Sequence, residues 1–338
     1  MIITKTPHRI SFFGGGTDYP SWYLKHGGKV LGVAIDKYCY LFVRELPPFF
    51  EHKHRIVYSN IENAKSIEEI NHPSVREVLK FFKYPKGIAV HHDGDIPARS
   101  GMGSSSAFTV GFMKAMYALE GRMISAKELY EKAIHVEQNL IKENVGSQDQ
   151  VLAACGGFNK VDFLVNGEII VTPVIMARDN LESFKNKFML FFTGISRNAS
   201  DIAEEQIKNT NKNYHELCKM SALVDEAFGV LSSARPDFKD FGNLLNETWN
   251  LKKYLSKQIS NSLIDQAYET AKANGAVGGK LLGAGGGGFM LFYAEPENQK
   301  KLKDALKGLL HIPFDFDYSG SEIIFYKSTY SSETKVNV

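Results

Sequence analysis

Four segments of this 338-residue chain carry residue types that could do chemistry. The first is Ile96-Pro97-Ala98-Arg99-Ser100-Gly101-Met102-Gly103-Ser104-Ser105-Ser106-Ala107. It leads from a strand-like stretch into a helix expected over 105–119. A glycine–serine turn that opens a helix aims free N–H groups and the positive end of the helix dipole at one point. Such a point holds anions, phosphate above all. The serine hydroxyls add donors and a hard oxygen ligand for magnesium. A serine N-cap after an ordinary loop would give the same letters. No Gly-Lys-Ser/Thr closes the segment, so it is not a Walker A loop.

The second is Lys280-Leu281-Leu282-Gly283-Ala284-Gly285-Gly286-Gly287-Gly288-Phe289. Gly283, Gly285 and Gly288 spell GxGxxG, but a helix is expected before them and a strand after, the reverse of a dinucleotide fold. Close packing on a ligand or on the other half of the molecule accounts better for four consecutive glycines. The third, Pro7-His8-Arg9 through Gly14-Gly15-Gly16-Thr17-Asp18-Tyr19-Pro20, offers an arginine, a bend and an aspartate. The fourth pairs Glu137 with Asp149 in Gly146-Ser147-Gln148-Asp149-Gln150. Taken singly, the last two read as a turn and as solvated carboxylates.

The elements that must position these residues follow from composition and periodicity. Thirteen of the 29 glycines fall at 14–16, at 101 and 103, and at 275–288, where backbone must come close to something. Apolar residues make up 43% and charged residues 23%, values that exclude disorder. A net charge of +2 gives no support to a general nucleic-acid or membrane-surface binder. Cys39, Cys155 and Cys218 are too few and too scattered for a disulfide framework or zinc cluster. The N-terminus lacks a signal-peptide pattern. The longest uncharged stretch, Leu281 to Ala294, is shorter than the roughly 20 residues of a spanning helix. A cytoplasmic protein is expected.

Strands are expected at 2–6, 31–35, 39–45, 55–58 and 87–91. Phe108, Phe112, Ala115 and Leu119 repeat with helical spacing, as do Leu129, Ala133, Val136 and Leu140. Ser125 and Glu128 form a capping box before the second of these helices. Asn166-Gly167 predicts a hairpin of 158–164 with 168–174. In the second half, strands at 188–192, 289–293 and 322–326 alternate with helices at 199–210, 215–232, 238–256, 262–274 and 297–310. Segment 175–186 is the expected linker. Two domains result, 1–175 and 187–330. The Phe12-Phe13 and Phe191-Phe192 pairs are expected in the core, and His91-His92-Asp93 is not expected to bind metal, since neighbours on a strand face opposite ways.

Together the four segments resemble the GHMP small-molecule kinases over nearly the whole chain. The resemblance rests on three motifs in order: Pro7-x-Arg9 to Thr17-Asp18-Tyr19, Pro97 to Ala107, and Lys280 to Gly288. It implies an α+β two-domain fold, with an N-terminal domain like ribosomal protein S5 domain 2 and a C-terminal ferredoxin-like domain. It implies ATP and Mg²⁺ as cofactors. The first motif is similar to the sugar-1-kinase branch, but Gly15-Gly16 stand where galactokinases carry Glu-His. That departure, with Thr17-Asp18-Tyr19-Pro20 and His26-Gly27-Gly28-Lys29-Val30-Leu31, looks like the bacterial D-glycero-D-manno-heptose 7-phosphate kinases. Their reaction makes the 1,7-bisphosphate for nucleotide-activated heptose, used in lipopolysaccharide or capsule synthesis.

Carried over residue by residue, the resemblance implies that Asp149 is the catalytic aspartate and Arg9 its partner. Pro97, Gly101, Met102, Gly103, Ser104, Ser105 and Ser106 would bind ATP phosphates. Ser105 and Glu137 would ligate Mg²⁺. Gly15, Gly16, Thr17, Asp18, Gly285 and Gly286 would contact the sugar. Arg197 at a helix start, with Lys280, would grip a distal phosphate; a solvated arginine on a capped surface helix is the alternative. The expected partners are a sugar phosphate and ATP, with no nucleic acid or membrane, and with a homo-oligomer allowed. The competing readings are a fucokinase-like enzyme, a non-catalytic sugar sensor on the same fold, a nucleotide-binding oxidoreductase and an RNA binder.

Overall fold

The computed structural model describes residues 1–98, 100–195 and 199–327. The first half contains β1 (Ile2–Phe13), α1 (Pro20–His26), β2 (Gly28–Glu45), β3 (His54–Val57), β4 (Ile61–Ala64), α2 (Pro73–Phe81), β5 (Ile88–Gly94), α3 (Ser104–Leu119), α4 (Ala126–His135) with a π-helical extension (Val136–Ile141), α5 (Gln148–Cys155), β6 (Phe158–Phe163) and β7 (Ile169–Pro173). The second half contains α6 (Arg178–Lys185), β8 (Phe188–Phe192), α7 (Ala199–Lys208), α8 (Tyr214–Ser232), α9 (Phe238–Leu255), α10 (Ser262–Ala273), β9 (Ala276–Leu281), β10 (Phe289–Ala294), α11 (Pro296–Ala305), β11 (Leu310–Ile312) and β12 (Glu322–Tyr326). Among the described residues no helix is long and apolar enough to cross a membrane.

Two sheets organise the molecule. The larger runs β12-β1-β2-β5-β3-β4, with β6 also on β2 and β7 on β6. It forks because β2 is long: its first part pairs with β6 and its second with β5. The expected strands at 31–35 and 39–45 are this one strand, bent at a bulge where the β1 pairing skips Asp36 and Lys37. Helix α3 crosses the sheet. Its Phe, Val, Met and Ala positions are buried nearly all round, so it carries no wide polar face. The smaller sheet, β11-β8-β10-β9, is antiparallel and packs α9 against β9.

Four expectations change. Segment 175–186 is not a loose linker: α6 buries Phe184 between Phe158 (5.7 Å) and Phe241 (4.9 Å), in an aromatic core that also holds Phe12 and Phe188. The strand at 322–326 does not close the second domain. As β12 it pairs with β1 in the first sheet, and the Met1 amine donates to Lys327 O at 2.8 Å. The residues just before the second glycine segment are strand β9, not helix. Finally, α4 gives way to π-helix at Val136; the helical period slips, and Leu140 turns outward to 36% exposure. The Ser125–Glu128 cap, the 158–174 hairpin, and buried Phe12, Phe13 and Phe191 are as expected.

Candidate active site

The three glycine segments and Asp149 meet at one cleft of about 1160 Å³, while Glu137 does not line it and lies buried behind Ser106. At its floor, α3 begins on Gly103, whose left-handed φ of +75° makes no side-chain cap. The helix cap is therefore a glycine, not a serine, and it makes no side-chain cap hydrogen bond. Gly103 also keeps space clear: a Cβ there would lie 3.2 Å from Asp149 Oδ2.

Asp149 lies in the first turn of α5 and is gripped end-on. Arg9 Nε donates to Oδ1 at 2.7 Å and Arg9 Nη2 to Oδ2 at 2.8 Å. The third arm of the guanidinium, Nη1, donates to Gly101 O at 2.8 Å. One arginine from β1 thus fixes both the aspartate and the turn beside it, which a point-charge lysine could not do.

Asp18 is buried next to this pair. Its Oδ1 accepts from Gly16 N (3.0 Å), and its Oδ2 from Gln148 Nε2 (3.0 Å) and Gln148 N (3.3 Å). Burial first, then the nearby Asp149 charge, raise its pKa. Gly146 is required here, because a Cβ would fall 1.9 Å from Asp18 Oδ2. Gln148 Oε1 and Ser11 Oγ are buried on the cleft wall without hydrogen-bond partners among the described residues. A polyhydroxylated guest could pair with them.

Glu137 sits on the π-helical turn, fully buried. Its Oε2 accepts from Ser106 Oγ at 2.8 Å and from Gln150 Nε2, while Oε1 has no hydrogen-bond partner among the described residues. Burial, then the Glu143 charge, push its pKa up to about 8. An orphaned carboxylate oxygen beside serine hydroxyls fits a hard divalent cation, which would also let Glu137 ionise. The serine that meets Glu137 is Ser106, not Ser105. Successive helix positions turn by about 100°, so Ser105 faces outward, 3.4 Å from Glu143 Oε2.

The second glycine segment is a β9–β10 hairpin packed on the first. A Cβ on Gly283 would lie 2.4 Å from Gly101 Cα, and one on Gly288 2.1 Å from Ser100 O. Gly283 and Ala284 line the cleft. Gly285 and Gly286 do not: they lie against Ile259, whose carbonyl accepts from Gly286 N at 2.9 Å. The two residues expected to contact the sugar are thus packed on Ile259 and do not line this cleft. Likewise Thr17 donates to Gly14 O and Lys29 O, each at 2.8 Å, and Met102 is core; neither these two nor Pro97 lines the cleft. Gly15, Gly16, Asp18, Gly101, Gly103, Ser104, Ser105, Ser106 and Lys280 do. Lys280 is buried with Nζ donating to Phe12 O at 2.8 Å, and burial drives its pKa far down. Arg197 lies outside the described residues.

Sequence reasoning missed the opposite end of the cleft, where His72 stacks on Phe108 (4.4 Å) beside His92, Tyr58, Asn60 and Asn71. These residues are scattered over α3, β5, the cap of α2 and loops, and no spacing links them. It also missed Lys252, and Gln148 as the clamp on Asp18. Gln148 could have been found, since it directly precedes Asp149.

Residues 72–157 match the family model for the GHMP kinases N terminal domain, and residues 227–311 that for the GHMP kinases C terminal. Between them the two cover half of the chain. The chain belongs to the GHMP kinases. It is 31% identical to the D-glycero-alpha-D-manno-heptose 7-phosphate kinase of Campylobacter jejuni, over 94% of this chain and 96% of that one. It is 25% identical to the L-fucokinase/L-fucose-1-P guanylyltransferase of Bacteroides fragilis, over 90% of this chain and 36% of that one. The crystal structure of a D-glycero-D-manno-heptose 1-phosphate kinase from Bacteroides thetaiotaomicron superposes with a TM-score of 0.78, covering 97% of this chain and 100% of that one at 24% identity. As a GHMP kinase with this two-domain α+β fold, the chain is an ATP-dependent phosphotransferase acting on a small molecule.

Proposed function

We propose that this GHMP kinase phosphorylates the anomeric hydroxyl of D-glycero-D-manno-heptose 7-phosphate, giving the 1,7-bisphosphate and ADP. The observation that carries the reading is the Arg9–Asp149 pair held beside a helix N-terminus capped by Gly103, with Asp18 buried next to it. The amides at Gly101, Gly103, Ser104 and Ser105 would hold the ATP phosphates. Neutral His72 on Phe108 would take the base, because burial lowers that imidazole's pKa to about 4. The sugar oxygen forms a bond to the γ-phosphorus as the bond to ADP breaks, and the hydroxyl proton passes to Asp149. The transition state is loose, so orienting the hydroxyl matters as much as basicity. Glu137 and Ser106 would hold Mg²⁺, which when bound offsets negative charge on the phosphate oxygens.

The choice of heptose rests on the nearly full-length likeness to the Campylobacter enzyme and on Gly15-Gly16, which leave the sugar end without large side chains. Lys280, with Arg197, would meet the distal phosphate. We divide the chain into domains 1–175 and 187–330, with β12 returning to the first sheet. The Bacteroides likeness favours a second reading, a fucose-type substrate. ATP-dependent ADP release against heptose 7-phosphate, mannose 6-phosphate, sedoheptulose 7-phosphate, fucose and galactose separates them, with product NMR to locate the new phosphate. Heptose 7-phosphate is expected to have the highest kcat/KM. Turnover of unphosphorylated fucose alone would overturn the substrate assignment.

A further inference from the structure

Helix α9 carries a lysine that belongs to none of the motifs. Lys252 is 6% exposed, and its Nζ donates to Leu281 O at 2.8 Å and Gly283 O at 2.5 Å. An ammonium has three hydrogens, and the third has no protein acceptor among the described residues. No carboxylate there lies within ion-pair distance of it. The titratable groups that face Lys252 are Arg9 from β1, itself paired with Asp149, and Lys280 from β9, whose own pKa burial drives far down. Burial, then Arg9, pull the Lys252 pKa down to about 7. A buried ammonium with no carboxylate of its own is costly unless an anion completes it. Packing alone would be served as well by an apolar side chain of similar volume.

Its position says which anion. Gly283, whose carbonyl Lys252 holds, touches Gly101 across the domain seam. The carbonyl of Gly101 is held in turn by Arg9. Two cations, one from each half of the chain, therefore bracket the turn at the foot of α3, and Lys252 lines the cleft there. We propose that Lys252 is a second cation of the phosphoryl-transfer site: anchored by Leu281 O and Gly283 O, its ammonium meets an oxygen of the phosphoryl group as it passes from ATP to the acceptor. The inference rests on the phosphate turn as read above. Lys252 keeps its proton throughout, and its charge opposes the negative charge spread over the equatorial oxygens.

Three variants test it. Lys252→Gln keeps two N–H donors for the hairpin carbonyls but loses the charge, Lys252→Met loses both, and Lys252→Arg keeps the charge. In Gln and Met alike kcat should fall by about 10²- to 10³-fold, as when one charge-stabilising donor is removed elsewhere. The Kd for ATP and the Tm of the Gln variant should stay near wild type, and Arg should recover about tenfold or more of the loss. A Gln variant with kcat close to wild type would show a purely structural role and overturn the proposal. Should the Gln variant not fold, the Lys252 ε-carbon NMR titration in wild-type protein decides. MgADP with aluminium fluoride should raise the Lys252 pKa by about one unit or more, and an unchanged pKa overturns the proposal. A wild-type protein inert on every sugar defeats the substrate reading instead, and the NMR arm still decides Lys252.

Discussion

Gly103 ends the glycine–serine turn at φ +75°, and a Cβ added there would first meet Asp149 Oδ2 at 3.2 Å. Gly288, in the hairpin packed beneath, has φ +101°, and its added Cβ would fall 2.1 Å from the backbone oxygen of Ser100. Both are glycines with left-handed backbone in one glycine-rich neighbourhood. One keeps space open above an aspartate on the wall of the cleft. The other lets two backbones touch where no side chain fits. Glycine density thus marks two different needs, presentation and close approach, and only geometry separates them.

Substitutions can break that contrast. The largest effect should fall on the presenting side. Asp149→Asn should lower kcat by about 10³-fold or more while ATP affinity and Tm hold; near-normal turnover would remove Asp149 from the chemistry. Next comes the packed side, where Gly288→Ala should cost about 3 kcal/mol or more of stability, read as a drop in Tm. Gly103→Ala should cost only about 1 to 2 kcal/mol, the strain of an αL alanine, yet slow turnover out of proportion to its Tm. If Gly103→Ala and Gly288→Ala lose stability equally, the two regions do not differ as described.

Glu137 sharpens the presenting side further. Its folded pKa of about 8 lies above the unfolded carboxylate value, so the folded state binds the extra proton between the two. Its contribution to stability is full below the unfolded pKa and is lost as pH rises towards 8, by at most about 1.4 kcal/mol per pH unit. Denaturant titrations without Mg²⁺ should show that loss in wild type and not in Glu137→Gln. Smallest of all, Gly15→Ala should move stability by less than about 0.5 kcal/mol, since its Cβ would sit 3.7 Å from Ser11 Oγ in ordinary contact. A larger loss would mean the sugar end is packed rather than open.

The sequence made much of this legible and missed the rest for physical reasons. Motif order revealed the family, and hydrophobic period located most helices. Ser105 and Ser106 are adjacent letters, and which one meets Glu137 depends on a helix facing that a motif does not specify. Lys252 reads as one more charge on an amphipathic helix until α9 is packed against β9. The π-turn at Val136–Ile141 leaves no mark in residue spacing except that Leu140 faces the wrong way. A short run such as Glu322–Tyr326 announces a strand, but nothing local says which sheet will accept it.

That last strand has a consequence for how the molecule is made. β12 zips onto the free edge of β1 beside the Met1 amine, so residues near opposite ends of the chain complete one sheet. During synthesis the first half leaves the ribosome with its outermost strand missing and the β1 edge unpaired. It must wait through the whole of the second half, some 150 residues at about 5 to 20 per second, before its own partner arrives. The part of the protein translated first is the part finished last.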